Sequence, residues 1–185
     1  TDVETTKIWT EKMIMSIPKD GYKHELINGE FTMVPAGFEH EIIGANLIFV
    51  LKKFVSEHKL GAVCGPDLGC WMKSENLRCP DVSFISKERL QKLDRLPKGF
   101  FKGSPDLAVE VLSPSDTIEG VHGKIVEYFE NDTKLAWVVN PEEQTVTVYR
   151  SSYPHKLLTN KDTLDGEGVL EGFSVPVAAL FELPV

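Results

Sequence analysis

Cysteine is scarce in this chain, with three among 185 residues: Cys64, Cys70 and Cys79. An odd, widely spaced set without a close CxxC pair excludes a disulfide scaffold and a zinc ribbon, and reads as reduced packing residues. Long apolar runs are missing as well. The longest, such as Leu47-Ile48-Phe49-Val50-Leu51, is far too short to span a bilayer. The opening residues Thr1-Asp2-Val3-Glu4 have neither the basic start nor the apolar stretch of a signal peptide, so the expected location is cytoplasmic, away from any membrane. Motifs of several other chemistries are absent: no GxSxG elbow, no phosphate-cradling Gly-rich loop, no HExxH. His24, His58, His122 and His155 show no metal-ligand spacing, and no internal repeat or low-complexity tract is found.

Positive charge is also in short supply. The formal net charge of −8 opposes bulk, nonspecific attraction to a polyanion. The distribution is uneven, however. Lys87, Arg89, Lys92, Arg95, Lys98 and Lys102 outnumber Glu88 and Asp94 in one short segment, whereas residues 162–182 carry acids and no base. That basic segment reads as a solvated helix face and loop, or as a surface able to approach a polyanion. With 42% hydrophobic and 26% charged residues, the composition is that of one compact globular domain.

What is present has a clear order. Residues 9–17 read as a short amphipathic helix stopped by Pro18. Asn28-Gly29 between the β-prone runs 24–27 and 30–34 is a strong hairpin signal. Ile43, Leu47, Val50, Leu51 and Phe54 recur at helical spacing across 40–58, a long helix ended by Gly61. Strands are expected at 62–72, 79–85 and 106–112, with a basic connection over 86–105 that includes a short helix near 88–93. A helix at 119–131 and strands at 135–140 and 145–150 follow, then an irregular tail ending in a helical turn at 172–181. This order predicts an α/β or α+β layered domain decorated by a leading hairpin and short helix.

Acids sit inside the strand candidates, where an unpaired charge is expensive to bury. Alternation puts Asp81 and Ser83 on one face of their strand, and Ala108 and Glu110 on one face of theirs. If those strands pair, Asp81 and Glu110 converge. Two carboxylates, the main-chain carbonyl of Val111 and several waters would supply the oxygens that Mg²⁺ prefers. Lys124, on the following helix with Tyr128 one turn on, would orient a nucleophile or stabilise charge on a phosphoryl group. Each residue also has a bland reading: Asp81 as a strand-start residue, Glu110 paired with a structural base, Lys124 as a helix-edge lysine. Glu25 is a candidate accessory acid. His40 and Glu41 open the long helix, where capping and surface roles compete with a place beside substrate.

The succession Glu25-Leu26-Ile27-Asn28-Gly29-Glu30, Glu39-His40, Pro80-Asp81-Val82 and Pro105-Asp106-Leu107-Ala108-Val109-Glu110-Val111-Leu112-Ser113-Pro114-Ser115 is distinctive. It continues with Lys124, Tyr128, Trp137-Val138-Val139-Asn140-Pro141 and Gly172-Phe173-Ser174-Val175-Pro176. This resembles the Uma-type family of putative restriction endonucleases, within the PD-(D/E)xK nuclease superfamily. The resemblance implies a restriction-endonuclease-like core, a mixed β-sheet flanked by helices. It divides the single domain 1–185 into an N-terminal helix and hairpin (1–38), a core (39–150) and a C-terminal extension (151–185). It implies Asp81 as the motif aspartate and Glu110 as the second acid. Leu112 stands where the superfamily pattern has lysine, so Lys124 is the natural substitute; Glu25 and His40 match family positions too. The segment Asp116-Thr117-Ile118-Glu119-Gly120 departs from the family, lacking its arginines and carrying Gly120 where aspartate is common.

The expectation is therefore a Mg²⁺- or Mn²⁺-dependent DNA endonuclease, a homodimer as restriction-like nucleases often are. In it Asp81, Glu110 and the Val111 carbonyl bind metal and Lys124 assists. Two rivals stand beside it. One is a non-catalytic homo-oligomeric module that keeps the fold and binds nucleic acid or protein, suggested by the net charge and the missing arginines. The other is a metal-dependent hydrolase of a different phosphoester.

Overall fold

A computed structural model describes residues 8–185; the opening residues Thr1-Asp2-Val3-Glu4, expected to carry no signal peptide, lie outside this range. The chain begins with α1 (Glu11–Met15), β1 (Lys23–Ile27), β2 (Glu30–Val34) and α2 (Phe38–His58). Next come β3 (Gly61–Cys64), β4 (Cys70–Trp71), β5 (Leu77–Arg78), β6 (Val82–Ser86), α3 (Lys87–Gln91) and β7 (Phe101–Lys102). Then β8 (Leu107–Val111), α4 (Ile118–Glu130), β9 (Leu135–Asn140) and β10 (Thr145–Tyr149) complete the centre. The tail adds β11 (Pro154–Leu158), β12 (Thr163–Asp165), β13 (Ser174–Pro176) and a 3-10 turn at Val177–Phe181.

The hairpin forms where Asn-Gly predicts it. Asn28 and Gly29 both take positive φ (51° and 82°), which a tight primed turn requires. The long helix also forms, with Ile43, Leu47, Leu51 and Val55 buried at successive four-residue steps. It ends at Lys59 in the left-handed region rather than at Gly61. Gly61 instead permits a close approach between strands. A Cβ there would sit 2.1 Å from the Ile85 carbonyl oxygen, so only glycine lets β3 approach β6.

Six strands make the central sheet, in the order β11-β10-β9-β8-β6-β3. The β8–β9 pair is parallel and its other neighbours are antiparallel, so the sheet is mixed. Parallel pairing demands a crossover, and α4 is that crossover. One face packs Val82, Phe84, Val109 and Trp137 against α2 and against tail residues such as Leu170 and Leu180. The other packs Ile85, Ala108, Ala136 and Val138 against Ile125 and Tyr128 of α4. Cys70, Met72 and Phe101 close this second face, contributed by a separate sheet ordered β2-β1-β5-β4-β7.

Two expectations change. The strand expected over 62–72 is two strands, β3 in the central sheet and β4 in the smaller one, divided at Gly65-Pro66-Asp67. Cys64 and Cys70 therefore share no strand face. Over 172–181 the expected helical turn forms at Val177–Phe181, but β13 precedes it where irregular chain was expected; earlier in the tail, β11 extends the central sheet. Among the described residues no helix is long and apolar enough to cross a membrane.

Candidate active site

Asp81 immediately precedes β6, and the antiparallel register Val82↔Val109 carries it across from Glu110 on β8. Both acids are nearly buried, at 5% exposure. Asp81 is held by three donors. The Val111 N–H donates to Oδ2 at 2.8 Å, Lys23 Nζ lies 2.8 Å from Oδ1, and His40 Nε2 lies 3.3 Å from Oδ2. Among the described residues Glu110 is held from α4: Lys124 Nζ donates to Oε2 at 3.1 Å and the Tyr128 hydroxyl donates to Oε1. Lys124 and Tyr128 are one turn apart, so a single helix face supplies both.

Alternation along β1 directs Lys23 and Glu25 to the same side. Glu25 accepts the Cys79 N–H at 2.9 Å, which fixes the peptide leading into Asp81. Its other oxygen lies 3.4 Å from Arg78 and 3.6 Å from Lys124. Arg78 continues to Glu127 on α4, where Ser74 and Asn76 also donate.

The two facing acids are pushed in opposite directions. Burial works to raise the Asp81 pKa, but the His40 hydrogen bond and the Lys23 ammonium outweigh it and hold the group well below its ordinary value. Burial raises that of Glu110, and the nearby Asp81 charge adds to the rise against the pull of Lys124. Lys124 loses by burial and gains more from Glu110 and Glu25, so it stays an ammonium. It can stabilise anionic charge; it is no general base. The His40 pKa is raised, chiefly by its bond to Asp81.

The donor chemistry fits a hard divalent cation. Asp81 and Glu110 offer four carboxylate oxygens; Oδ2 of Asp81 already accepts from two donors, and each of the other three from one. Among the described residues no three His, Cys, Asp or Glu side chains are grouped to hold a metal. Two carboxylates completed by the Val111 carbonyl and water remain the compatible set. When bound, such an ion lowers the pKa of a coordinated water and takes up charge on phosphoryl oxygens.

The sequence candidates Asp81, Glu110, Lys124, Glu25 and His40 thus lie in one connected cluster. Lys23, Arg78 and Glu127 belong to it too and were not foreseen. Lys23 had one legible signal, its spacing of two from Glu25 on the hairpin strand. Asp106, just before β8, lies elsewhere: fully buried, it accepts the Ser86 N–H at 2.8 Å and faces Arg89 and Lys134. In the segment that departs from the family, Thr117 caps α4 by accepting the Gly120 N–H.

Residues 11–178 match the Uma2 family, described as "Putative restriction endonuclease". The chain belongs to the Uma2 family. A solved structure from Anabaena variabilis, described as "a putative nuclease belonging to DUF820", superposes with a TM-score of 0.80 at 21% identity, covering 94% of this chain and 97% of that one. At that identity the likeness is one of fold: a mixed sheet with helices on both faces. No curated protein matches the chain significantly.

Proposed function

We propose that this Uma2-family chain is a divalent-metal-dependent DNA endonuclease, with Asp81, Glu110 and the Val111 carbonyl as ligands for Mg²⁺ or Mn²⁺. The observation that carries the reading is the convergence of Asp81, just before β6, Glu110 of β8 and Lys124 of α4 in a buried, charge-dense cluster. Lys124 faces the reacting phosphate as a fixed cation and holds Glu110 in place. Glu25 positions Lys124 and the Cys79 peptide, and His40 keeps Asp81 ionised. The basic segment from Lys87 to Lys102 offers contacts to the DNA backbone, and a homodimer in a cytoplasmic setting would cut both strands.

The internal pairing of every Asp81 and Glu110 oxygen favours one rival, a non-catalytic oligomeric binding module that keeps the fold. Calorimetric titration with Mn²⁺ separates the two, run on wild type and Glu110→Ala with and without a mixed-sequence duplex. Binding by the wild type that vanishes in Glu110→Ala supports the endonuclease. Absence of binding in all conditions, or metal-dependent cleavage that survives Asp81→Ala, overturns it.

A further inference from the structure

Lys23 is the one member of the cluster that treats Asp81 as a metal ion would. Its ammonium lies 2.8 Å from Asp81 Oδ1 and 2.9 Å from the Cys79 carbonyl oxygen. A carboxylate oxygen and a main-chain carbonyl are the ligand types of a hard cation. The side chain is largely enclosed, at 13% exposure. Glu110 also draws it: together with Asp81 it overcomes the cost of burial and raises the Lys23 pKa.

We infer that Lys23 is a resident cation at Asp81 which an incoming divalent ion must displace, so that Lys23 sets the metal affinity of the site. The inference rests on the endonuclease reading above. Three observations support displacement. Lys23 holds Oδ1, the Asp81 oxygen with one donor where Oδ2 has two, and two cations cannot share that oxygen without strong repulsion. Lys23 also arrives from β1, in the smaller sheet, on a flexible stem, whereas the Val111 N–H and Lys124 come from the strand and crossover helix of the central sheet. Finally, a cavity of about 100 Å³ lined by His40, Glu41, Gly44 and Asp81 leaves the same carboxylate an open side.

Charge balance gives the exchange a direction. Exchanging an ammonium for a dication adds one positive charge to the cluster, which one phosphodiester would offset. Metal and a phosphodiester therefore favour each other's binding, and Lys23 holds the acids charged and in place until both arrive.

The test is calorimetric Mn²⁺ binding and thermal melting of wild type, Lys23→Met and Lys23→Arg, each with and without duplex DNA. Lys23→Met keeps the stem and removes the charge. Its Mn²⁺ affinity is expected to rise about tenfold or more, the equivalent of a lost competing ion pair. Its melting temperature is expected to fall without metal and to be raised by Mn²⁺ more than that of the wild type. Lys23→Arg, with a cation that grips carboxylate through two donors, is expected to bind Mn²⁺ no better than wild type. Unchanged or weaker Mn²⁺ binding in Lys23→Met overturns the inference. Should that variant not fold, tighter Mn²⁺ binding by Lys23→Arg overturns it. If wild type binds and Glu110→Ala does not, such a result removes this inference alone. If no variant binds Mn²⁺ in any condition, the endonuclease reading fails first and this inference with it.

Discussion

Glu110 shows how one residue is made dependent on its neighbours. It is buried, and its charge is met by an ammonium and a phenol hydroxyl from a single helix face. Tyr128→Phe removes one of these donors and leaves a carboxylate oxygen unsatisfied. It should cost about 1–3 kcal/mol, read by urea unfolding. The thiols provide a second check. Burial pushes Cys70 and Cys79 up to about 12, so neither supplies thiolate near neutrality. A thiol reagent at pH 8 should modify at most Cys64, the half-buried one, in the native protein and all three after denaturation. Asp81, Glu110 and Lys124 were legible because each breaks a local pattern, an acid in a β run or a base on an apolar helix face. Lys23 was not. It meets Asp81 across 58 positions and from another sheet, and its spacing from Glu25 gives its face of the strand but not that partner.

Two elements, α2 and α4, do most of the positioning. Leu51 of α2 is fully buried beneath the central sheet, and Leu51→Ala should cost about 2–5 kcal/mol by the same assay. On α4, Glu127 ties the helix to β5 through Arg78. Burial raises its pKa, but the Ser74 and Arg78 hydrogen bonds outweigh burial and the net shift is downward from 4.5. A lowered folded-state pKa gives stability that is complete above the unfolded value and lost as pH falls through the folded one. The stability gap between wild type and Glu127→Gln should therefore be widest near neutral pH and shrink below about pH 4. Periodicity revealed both helices to within a few residues, since a single apolar stripe defines each. It merged β3 with β4, because both are apolar and only their partners differ. The breaking turn at Gly65-Pro66-Asp67 was visible, yet strand partnership is a non-local property that alternation does not encode.

Over the whole molecule, the least legible part was the tail. Its glycines and acids suggested irregular chain, yet Leu164, Leu170, Phe173, Val175, Val177, Leu180 and Phe181 belong to the main core. Truncation after Leu158 should abolish cooperative unfolding, measured by calorimetry, rather than trim an appendage. A last consequence concerns the charges that join the two sheets. Glu127, Arg78, Glu25, Lys124 and Glu110 alternate in sign along one chain of contacts. Replacing any inner link strands a buried charge on either side of it. Sequence drift through this string is thus confined to compensated steps, and relatives that differ at one link should differ at its neighbour as well.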